Sequence, residues 1–545
     1  MKRIALSAAV AVSSVFSASA ATVAYWPLAK DNGVRLAQGD TLANSVPGGA
    51  DAVAAHIRIA YGTVNTASVS VHANDWPMGT NAFPTAFGVY DPVAKENLAA
   101  ATGLDFGRDT FKNNWNPKGC PWIACVLQAA DFDAGKTESF TVEFFVKPDP
   151  AYKSRWQVLA AMPLSTEGHE EYKTGKESWA IFLNNSGNIY AKLCYDETKG
   201  SYSSDPATAK IWDDRWHHIA MTVDGTAFKL FVDYVLVRSG TLGGTVKFSE
   251  DGHLFIGGTT HHLYSYAGSM AHFRVSDKAL SSEDFLHFTR TTRAADEPED
   301  VVLHLDFEPV DGLSTNSTVV FNRAATGSAI HLCSNDNYAY PPYFEYDPDI
   351  YAEMLYNARS GYKGRADTHS YSKTSNSTKY PYLAWYPEGD IFHDNSFTVE
   401  MFLKQSTLAM WNPIMRRRQG SGKNVQVTMG TDGKAGHLSC GFAGARLAGD
   451  ITKDEWQHLA LVYDKDAGGL KLFKNWKQIQ ESSPASSAFV TATDDMPITF
   501  FGDAGNDDSS FIGKLDDVRI TKRALGWKEF ITPTCVKNGM MVIVR

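Results

Sequence analysis

The sequence predicts an all-β protein built from two tandem antiparallel β-sandwiches, and three observations support this. The chain has 545 residues, which is longer than one compact domain usually grows. Three sequence blocks of the first half recur in the same order in the second half. Within these blocks apolar and polar residues alternate with a period of two, which is the pattern of a half-buried strand, and helical periodicity is scarce.

Composition and charge narrow the class of protein. Hydrophobic residues make up 43% of the chain and charged residues 21%, which is typical of a globular protein rather than a disordered one. The 51 Lys and Arg against 61 Asp and Glu give a formal net charge of -10. A general nucleic-acid binder would instead show a basic excess or stripe, so we do not expect a nucleic-acid partner.

The first 20 residues have the pattern of an export signal. Lys2 and Arg3 precede a short apolar stretch at 4–16, and residues 18–20 (ASA) supply the small-x-small pattern that signal peptidase cuts. The apolar stretch is too short to span a bilayer, and no later segment reaches transmembrane length. We therefore expect cleavage after residue 20 and an exported protein, with the periplasm, the cell surface and the medium left open.

The internal repeat defines the two halves and their boundary. Three blocks recur: 139–147 (SFTVEFFVK) as 396–404 (SFTVEMFLK), 214–220 (DRWHHIA) as 454–460 (DEWQHLA), and 267–280 (AGSMAHFRVSDKAL) as 512–525 (IGKLDDVRITKRAL). The polar, acidic stretch 294–300 contains a proline and is typical of a linker. We place the first domain at 21–293 and the second at 301–545.

The recurring blocks also resemble a known family. SFTVE at 139–143, WHHIAMTVD at 216–224, FIGG at 255–258 and the Gly-x5-Arg-Val pattern that ends in Ala-Leu at 268–280 are similar to laminin G-like, concanavalin A-type jelly rolls of exported bacterial proteins. The resemblance covers the latter part of each half. It implies two tandem concanavalin A-like (laminin G-like) antiparallel β-sandwich jelly rolls, a fold shared by lectins and glucanases.

The chain departs from the family pattern in two places. The hairpin that usually carries Asp-Gly has Asp-Tyr at 233–234 and Asn-Trp at 475–476, so we do not expect a type I′ turn there. Long segments, 23–138 and 302–395, precede the first recurring strand of each half, and we expect them to add loops and edge strands. A short helical turn is expected only at 281–288 and in the counterpart of this segment.

The carboxylates of the recurring strands favour a structural role over catalysis. Retaining glucan hydrolysis needs two carboxylates about 5 Å apart. A strand supplies them most simply as Glu-x-Asp-x-Glu on one face, and the sequence contains no such triplet. Glu143 and Glu400 each stand alone among Thr and Phe, and we expect them to pair across strands with Arg274 and Arg519. We therefore do not expect an enzyme.

The candidate carbohydrate-binding residues lie outside the recurring blocks, because binding residues gather on loops that a rigid scaffold carries. They are Tyr340, Tyr343, Tyr346, Trp411, Arg416 and Arg418. The three tyrosines belong to the segment 338–386, which contains 11 of the 23 tyrosines of the chain. Two interpretations are open: the tyrosines form an aromatic binding surface, or they pack a long loop onto the sandwich. The Trp–Arg set suits an acidic glycan, and a solvated edge strand is the favoured alternative for the same residues. Trp216 and Trp456, inside the blocks, are expected to pack in the core.

One loop of the second half is a candidate calcium site. Asp503, Asn506, Asp507 and Asp508 bring hard oxygen ligands close together, which suits Ca²⁺, and the resemblance adds that jelly rolls of this kind often carry calcium. A plain turn explains the same residues. Calcium is the one candidate cofactor.

The six cysteines divide three and three between the halves. They are Cys120, Cys125, Cys194, Cys333, Cys440 and Cys535. In an exported chain they favour structural disulfides or buried thiols over zinc, because there is no CxxC pair with matching His spacing. The pairing stays open.

The sequence thus favours an exported, non-catalytic binding protein that recognises carbohydrate or a cell-surface glycan. The alternative is a structural or adhesive surface protein that makes protein contacts, and the third candidate is a polysaccharide hydrolase or lyase with an unrecognised site. The expected partner is a polysaccharide, a glycoconjugate or a cell-surface protein.

Overall fold

The structure is a computed structural model of the 545-residue chain. It describes residues 22–28, 41–47, 51–59, 79–82, 87–94, 96–98, 102–106, 122–129, 136–153, 156–164, 177–195, 198–203, 210–248, 253–258, 266–290, 293–308, 320–324, 330–333, 343–346, 362–363, 369–373, 382–387, 389–393, 395–408, 411–418, 425–484, 489–492, 496–502, 511–532, 536–537 and 540–541. Across these ranges no helix is long and apolar enough to cross a membrane.

The described part of the first half consists almost entirely of short strands. In chain order they are β1 (Thr22–Trp26), β2 (Thr41–Leu42), β3 (Ala52–Ile59), β4 (Gly79–Ala82), β5 (Phe87–Asp91), β6 (Glu96–Leu98), β7 (Thr102–Phe106), β8 (Trp122–Ala129), β9 (Ser139–Pro148), β10 (Gln157–Pro163), β11 (Glu177–Leu183), β12 (Ile189–Tyr195), β13 (Thr198–Ser203), β14 (His217–Asp224), β15 (Ala227–Val232), β16 (Val235–Thr241), β17 (Leu254–Ile256), β18 (Gly268–Ser276) and β19 (His287–Arg290). A 3-10 helix at Pro150–Tyr152 follows β9.

The second half repeats this arrangement. Its strands are β20 (Val301–Leu305), β21 (Ile330–Cys333), β22 (Tyr343–Tyr346), β23 (Tyr362–Lys363), β24 (His369–Lys373), β25 (Tyr382–Trp385), β26 (Phe397–Gln405), β27 (Pro413–Arg418), β28 (Val425–Thr431), β29 (His437–Phe442), β30 (Ala445–Asp450), β31 (Trp456–Asp464), β32 (Gly469–Lys474), β33 (Lys477–Ser482), β34 (Ile498–Phe500), β35 (Gly513–Thr521), β36 (Ile531–Thr532), β37 (Val536–Lys537) and β38 (Met540–Met541). A 3-10 helix at Trp527–Glu529 follows β35.

Each half contains two large antiparallel sheets. In the first half, sheet 1A has the order β16-β15-β14-β9-β18-β7-β4, with β1 also paired to β18, and sheet 1B has the order β13-β12-β11-β10-β17-β8-β3-β2. In the second half, sheet 2A has the order β22-β24-β35-β26-β31-β32-β33, with β20 also paired to β35, and sheet 2B has the order β21-β25-β34-β27-β28-β29-β30. The recurring blocks form the adjacent central strands of sheets 1A and 2A, so the fold is two tandem β-sandwich jelly rolls, as predicted.

Small sheets complete the described strands. The first half has a three-stranded sheet, β19-β5-β6. In the second half β23 pairs with β36 in parallel, and β37 pairs with β38. The long segments that precede β9 and β26 add strands to both large sheets, as expected. They extend the edges of the sheets and also supply β8 and β25, which lie inside sheets 1B and 2B.

The apolar faces of the two large sheets of each half meet in a core, because alternate strand residues share a face. Phe140 of β9 and Trp179 of β11 lie across the first core with ring centroids 6.3 Å apart. Phe397 of β26 and Phe442 of β29 lie across the second at 4.8 Å. Each fully buried side chain of this kind stabilises the fold by roughly 1.5–3 kcal/mol.

A second apolar layer covers the outer face of sheets 1A and 2A. In the first half the chain after β18 turns back, so that Phe288 packs on Phe145 of β9 with ring centroids 4.3 Å apart. In the second half Phe530 and Ile531 take that position over Phe402. The predicted helical turns lie in this layer, where the second half forms a 3-10 helix and the first half only a turn over 282–283. Side chains on the outer face are therefore buried as well.

The two hairpin turns correct a sequence-based expectation. Asp233 and Tyr234 have φ values of 49° and 68°, and Asn475 and Trp476 have 49° and 62°. Two central residues with positive φ between paired strands make a type I′ turn, so the expectation that these turns are not type I′ is wrong. The backbone strain of such residues, about 1–2 kcal/mol each, is offset by side-chain contacts that are described with the site below.

The predicted linker, 294–300, packs on the second half. Glu297 is buried and accepts a hydrogen bond from His304 Nδ1 at 2.8 Å. The carbonyl oxygen of Asp300 accepts from the N–H of Lys522 at 2.8 Å. These contacts fix the end of the segment on β20 and β35 rather than leaving it as a free spacer.

Candidate functional site

The carboxylates of the recurring strands are the first place to look for chemistry. Glu143 and Arg274 are directly opposite each other in the register of β9 and β18, and Arg274 Nε donates to Glu143 Oε1 at 2.7 Å. Glu400 and Arg519 stand at the same positions of β26 and β35, where Arg519 Nε donates to Glu400 Oε1 at 2.8 Å. The predicted cross-strand pairs are confirmed in both halves.

The other oxygen of each carboxylate is also occupied. Glu143 Oε2 accepts from His218 Nε2 at 2.9 Å and from the N–H of Leu286 at 2.8 Å. Glu400 Oε2 accepts from His458 Nε2 at 3.0 Å and from the N–H of Ile531 at 2.9 Å. We call these two sets the Glu–His–Arg clusters. Both carboxylates are 0% exposed, because the layer that supplies Leu286 or Ile531 covers them.

Ionisation of these buried carboxylates depends on their partners. Burial opposes the charged form of Glu400, but Arg519, His458 and the N–H of Ile531 outweigh it and lower the pKa of Glu400 to about 2. Burial likewise opposes ionisation of Glu143, and Arg274 and His218 lower its pKa below the usual range. In the first half Asp91 also accepts from Arg274 Nη1 at 2.8 Å.

The type I′ turns take part in the Glu–His–Arg clusters. Tyr234 stacks on His218 with ring centroids 4.5 Å apart and planes 9° apart, and Trp476 stacks on His458 at 4.9 Å and 3°. The turn residue before each aromatic, Asp233 or Asn475, accepts the backbone N–H of that histidine at 3.0 or 2.9 Å. A glycine turn could not make these contacts. The strained turn is therefore held in place by the buried cluster.

A second buried polar pair differs between the halves. His272 and Asp517 occupy the same position, two residues before the cluster arginine, each at a strand irregularity with positive φ. In the first half the hydroxyl of Tyr25 donates to His272 Nδ1 at 2.6 Å, and burial lowers the pKa of His272 to about 3. In the second half His304 Nε2 donates to Asp517 at 3.0 Å. Burial opposes the charge on His304, but Asp517 and Glu297 raise its pKa to about 9.

The most accessible candidate among the described residues is Trp411. Its side chain is 52% exposed, the largest exposed fraction of the large hydrophobic side chains in the described ranges. Trp411 stands just before β27 with φ of 60°, and its backbone N–H donates to the carbonyl oxygen of Asp432 at 2.9 Å. Gly433 packs against the indole, since a Cβ at Gly433 would be 3.1 Å from Cζ2. The ring thus contacts the turn after β28 and is about half exposed to solvent.

Polar groups lie in the β28–β29 turn beside Trp411. His437 Nδ1 donates to Asp432 Oδ2 at 2.6 Å, and the N–H of Lys434 donates to Asp432 Oδ1 at 3.0 Å. Desolvation opposes the ionisation of Asp432, but Lys434, His437 and Arg446 outweigh it and lower its pKa. This pair places a charged acceptor and an imidazole next to an aromatic plane.

The predicted Trp–Arg set does not form one patch. Trp411 precedes β27 and Arg418 ends it, so about 20 Å of extended strand separates them. Arg416 Nε donates to Thr428 Oγ1 on the outer face at 3.2 Å. Arg417 is fully buried and donates to the carbonyl oxygens of Met496 and Gly389, both at 3.2 Å. The solvated edge strand offered as the alternative is wrong, because β27 lies between β34 and β28 inside sheet 2B.

Other predicted residues lie partly or wholly outside the described ranges. The backbone of Tyr343 and Tyr346 forms the ends of β22, whereas their side chains, Tyr340 and the candidate calcium ligands Asp503, Asn506, Asp507 and Asp508 are outside the description, as are residues 1–20. Within the described ranges no three His, Cys, Asp or Glu side chains are placed to hold a metal ion.

The remaining predicted residues are buried to different degrees. Trp216 is 2% exposed and packs in the outer layer of sheet 1A. Trp456 is half-buried against the equivalent layer of sheet 2A. Cys194 and Cys440 are buried, and Cys440 is a free thiol. Burial raises the pKa of the Cys440 thiol well above its usual range.

The sequence analysis missed an aromatic cluster on the outer face of sheet 1B. Trp156 lies edge-on to Phe182 and Tyr190 at 6.3 and 5.2 Å, with ring planes 71° apart in each case, and Lys192 Nζ lies 4.8 Å from the Phe182 centroid. The alternation of these residues on β11 and β12 could have revealed it. Edge-on packing covers the ring faces and Phe182 is 2% exposed, so this cluster offers less open aromatic surface than Trp411.

Comparison with known families finds one profile that covers more than half of the chain. The profile described as the concanavalin A-like lectin/glucanases superfamily matches residues 125–284 and 376–530. A search of curated proteins found no significant match.

Solved structures similar to this chain come from several sources. The carbohydrate-binding module CBM40 of the Ruminococcus gnavus IT-sialidase is 18% identical, covering 26% of this chain and 78% of that chain with a TM-score of 0.23. Domains LG4-5 of the mouse laminin α1 chain are 10% identical, covering 74% and 88% with a TM-score of 0.23. Domain 4 of the Geobacillus stearothermophilus GH43 arabinanase AbnA, in complex with arabinotriose, is 12% identical, covering 49% and 97% with a TM-score of 0.30.

Proposed function

The chain belongs to the concanavalin A-like lectin/glucanases superfamily, and from this premise we propose that it is an exported, non-catalytic protein that binds carbohydrate. The single observation that carries the proposal is the half-exposed indole of Trp411, which packs against Gly433. The export part rests on the N-terminal pattern Lys2-Arg3, an apolar stretch and small residues at 18–20.

The surroundings of Trp411 suit a sugar ring. A pyranose has an apolar C–H face, which packs on an aromatic plane, and a rim of hydroxyl groups. The exposed part of the indole provides apolar surface, while Asp432 and His437 beside it provide an acceptor and an imidazole for the rim. The backbone of Trp411 is held by its hydrogen bond to Asp432 and the ring contacts Gly433, so less of the residue has to be ordered on binding. The ligand class is therefore a polysaccharide or a glycoconjugate.

The state of the carboxylates supports binding without catalysis. A glycosidase needs one carboxyl group as an acid and a second as a nucleophile or base, both in contact with substrate. Glu143 and Glu400 instead bind arginine, histidine and a backbone N–H beneath a layer of apolar side chains. Each carboxylate therefore stabilises the sheet in which it lies.

Binding is tested with the mature chain on a glycan array, and any positive glycan is then titrated. We expect Trp411→Ala to weaken binding of that glycan by about tenfold or more, since burying a large apolar side chain in a contact is worth roughly 1.5–3 kcal/mol. Trp527→Ala is the matched control, because Trp527 is also an exposed tryptophan, at 37%, in the same half. It should bind as the parent does.

The other outcomes decide between the alternatives. A blank array, with and without calcium, overturns the carbohydrate proposal and favours a structural or adhesive protein. Binding that Trp411→Ala leaves unchanged moves the site elsewhere on the jelly rolls. Loss of binding on chelation would assign a role to the Asp503–Asp508 loop. Release of shorter products from a positive polysaccharide would make the protein an enzyme.

A further inference from the structure

The outer faces of sheets 1B and 2B differ in chemistry, although β10 to β13 correspond to β27 to β30 in order and register. In the first half this face carries the apolar cluster that Trp156, Phe182 and Tyr190 form. In the second half the corresponding strands present small, polar and basic residues, which are Arg416, Thr428, Gly430, Ser439, Gly441, Arg446 and Ala448. The two halves therefore share a scaffold and differ in the surface that this sheet offers to a partner.

Two arginines flank this surface in one row across four strands. Arg416 of β27 lies opposite Thr428 of β28. Thr428 lies opposite Gly441 of β29, and Gly441 lies opposite Arg446 of β30. Each of the four has a chain neighbour in the core, so the row itself faces outward. Because adjacent strands are about 4.8 Å apart, the Cα atoms of the two arginines are separated by about 14 Å.

The row is accessible. Arg446 is exposed, and Arg416, Thr428 and Gly441 are partly exposed. Arg416 Nε donates to Thr428 Oγ1 at 3.2 Å, which holds this side chain along the row. Gly441 leaves the space between Thr428 and Arg446 without a side chain. The guanidinium of Arg446 makes no hydrogen bond or ion pair with the part of the chain that the structure describes, so it can bind a partner from outside.

The charge of these strands is opposite to that of the whole chain. The chain has a formal net charge of -10, whereas the exposed and partly exposed charges that the structure describes on β27 to β30 and their turns are Arg416, Arg418, Lys434 and Arg446 against Asp432 and Asp450. Asp432, within electrostatic reach of Arg446, already accepts from His437 Nδ1 and from the N–H of Lys434. A local excess of positive charge on an acidic protein attracts an acidic partner.

The row suits carboxylates on an extended chain. The fork of a guanidinium matches a carboxylate, and arginine clusters recognise acidic motifs in peptides. Residues four apart in an extended peptide are separated by about 13–14 Å, which matches the separation of Arg416 and Arg446. The outward positions of the second half carry no aromatic ring among the seven residues named above, so this surface lacks the plane on which a sugar ring packs.

We propose that the outer face of sheet 2B, centred on Arg416 and Arg446, binds an acidic peptide segment of a partner protein. Two carboxylates of that segment, four residues apart, pair with the two arginines. The inference goes beyond the proposed function, because it assigns a protein partner to a surface that is read by charge. It holds whether or not the protein retains polysaccharide.

The test titrates the full chain with labelled peptides and follows their fluorescence anisotropy. One peptide contains Glu-Thr-Val-Thr-Glu, a second has glutamine in place of both glutamates, and a third has the two glutamates side by side. We expect the first to bind with a Kd of about 1 mM or tighter, which two charge-assisted contacts supply. The third should bind more weakly and the second not at all. Added salt should weaken binding of the first, because exposed charges are screened.

Variants of the row assign the binding to this face. Arg446→Gln should weaken binding of the first peptide by about tenfold, the equivalent of one charge-assisted contact, and should melt as the parent does because the side chain is exposed. Arg446→Lys keeps the charge without the fork and should lie between the two. Arg238→Gln is the matched control, since Arg238 is an exposed arginine of β16 at the edge of sheet 1A. It should bind as the parent does.

Three results overturn the proposal. The first is that no acidic peptide binds at several millimolar, and the second is that the glutamine peptide binds as well as the glutamate peptide. The third is that Arg446→Gln binds as the parent does. If polygalacturonate or heparin binds through Arg446 and the peptides do not, the face belongs to an acidic polysaccharide and the protein partner is excluded. None of these results depends on whether the glycan array is positive.

Discussion

Replacing Glu400 by Gln tests whether the Glu–His–Arg cluster is held together by charge. The substitution keeps the shape of the side chain and removes its negative charge. The pKa of Glu400 is lowered from an ordinary value of 4.5 to about 2, because the partners Arg519 and His458 outweigh burial. Each pKa unit corresponds to about 1.4 kcal/mol, so the ionised carboxylate stabilises the second half by about 3 kcal/mol at pH 7. We expect Glu400→Gln to lose most of this.

The pH dependence of the loss is what identifies the cause. Because the folded-state pKa is lower than the unfolded one, the stabilisation is complete above pH 4.5 and disappears as the pH falls towards 2. The measurement is urea denaturation of the parent and of Glu400→Gln at pH 7 and at pH 3, with hydrogen exchange of β26 and β35 to assign the unfolding transition to the second half. The difference between the two proteins should shrink at pH 3.

The first half supplies the matched control. Glu143→Gln makes the same change, but Arg274 keeps the carboxylate of Asp91 at 2.8 Å. Removing one partner of a buried ion pair is costly mainly because it leaves the other charge uncompensated, so the ion pair that remains between Arg274 and Asp91 should limit the cost of Glu143→Gln. A loss that is equal at pH 7 and pH 3, or below about 1 kcal/mol at pH 7, would refute the argument from charge.

Two further predictions follow from the second half. His304, whose folded-state pKa is about 9 against an ordinary 6.5, stabilises fully below pH 6.5 and loses this contribution as the pH rises through 9. The melting temperature of the parent should therefore fall between pH 7 and 10, while that of His304→Asn should depend less on pH. Identical pH profiles of the two melting temperatures would contradict the assignment. Asn475→Ala removes the hydrogen bond to the N–H of His458 and leaves a residue poorly suited to positive φ, so urea denaturation should show a loss of about 1–3 kcal/mol. Asn475→Gly keeps the conformational freedom and should cost less than Asn475→Ala.

The sequence was sufficient to predict features that are local or that the repeat displays twice. The period of two placed Glu143 and Arg274 on the outer face of their strands, and the equal spacing in the second half supported their pairing. The same spacing predicted two jelly rolls. These features depend on neighbouring strands whose register the apolar pattern fixes.

Features that depend on distant contacts could not be predicted in this way. The type I′ turns contradict the usual glycine preference because Tyr234 and Trp476 stack on histidines of another strand. The alternative of an edge strand for Arg416 was wrong because strand order in a sheet is not local information. Arg523 donates to Asp300, and no pattern in either segment indicates that they meet. The contact of Trp411 with Gly433 likewise depends on how the turn after β28 folds.

The difference between the Tyr25–His272 and His304–Asp517 pairs bears on how a duplicated chain avoids misassembly. Each half is closed by its own first strand, β1 on β18 and β20 on β35, in the same register. If β1 exchanged onto β35, the phenol of Tyr25 would meet the carboxylate of Asp517, and the reverse exchange would bring His304 against the neutral imidazole of His272. In the first exchange the phenol could still donate to the carboxylate, but Asp517 would lose its cationic partner His304, and in the second His304 would lose Asp517. A buried charge without an opposite charge is costly, so the two pairs favour docking of each first strand on its own half, and misassembly is a known hazard of repeated domains.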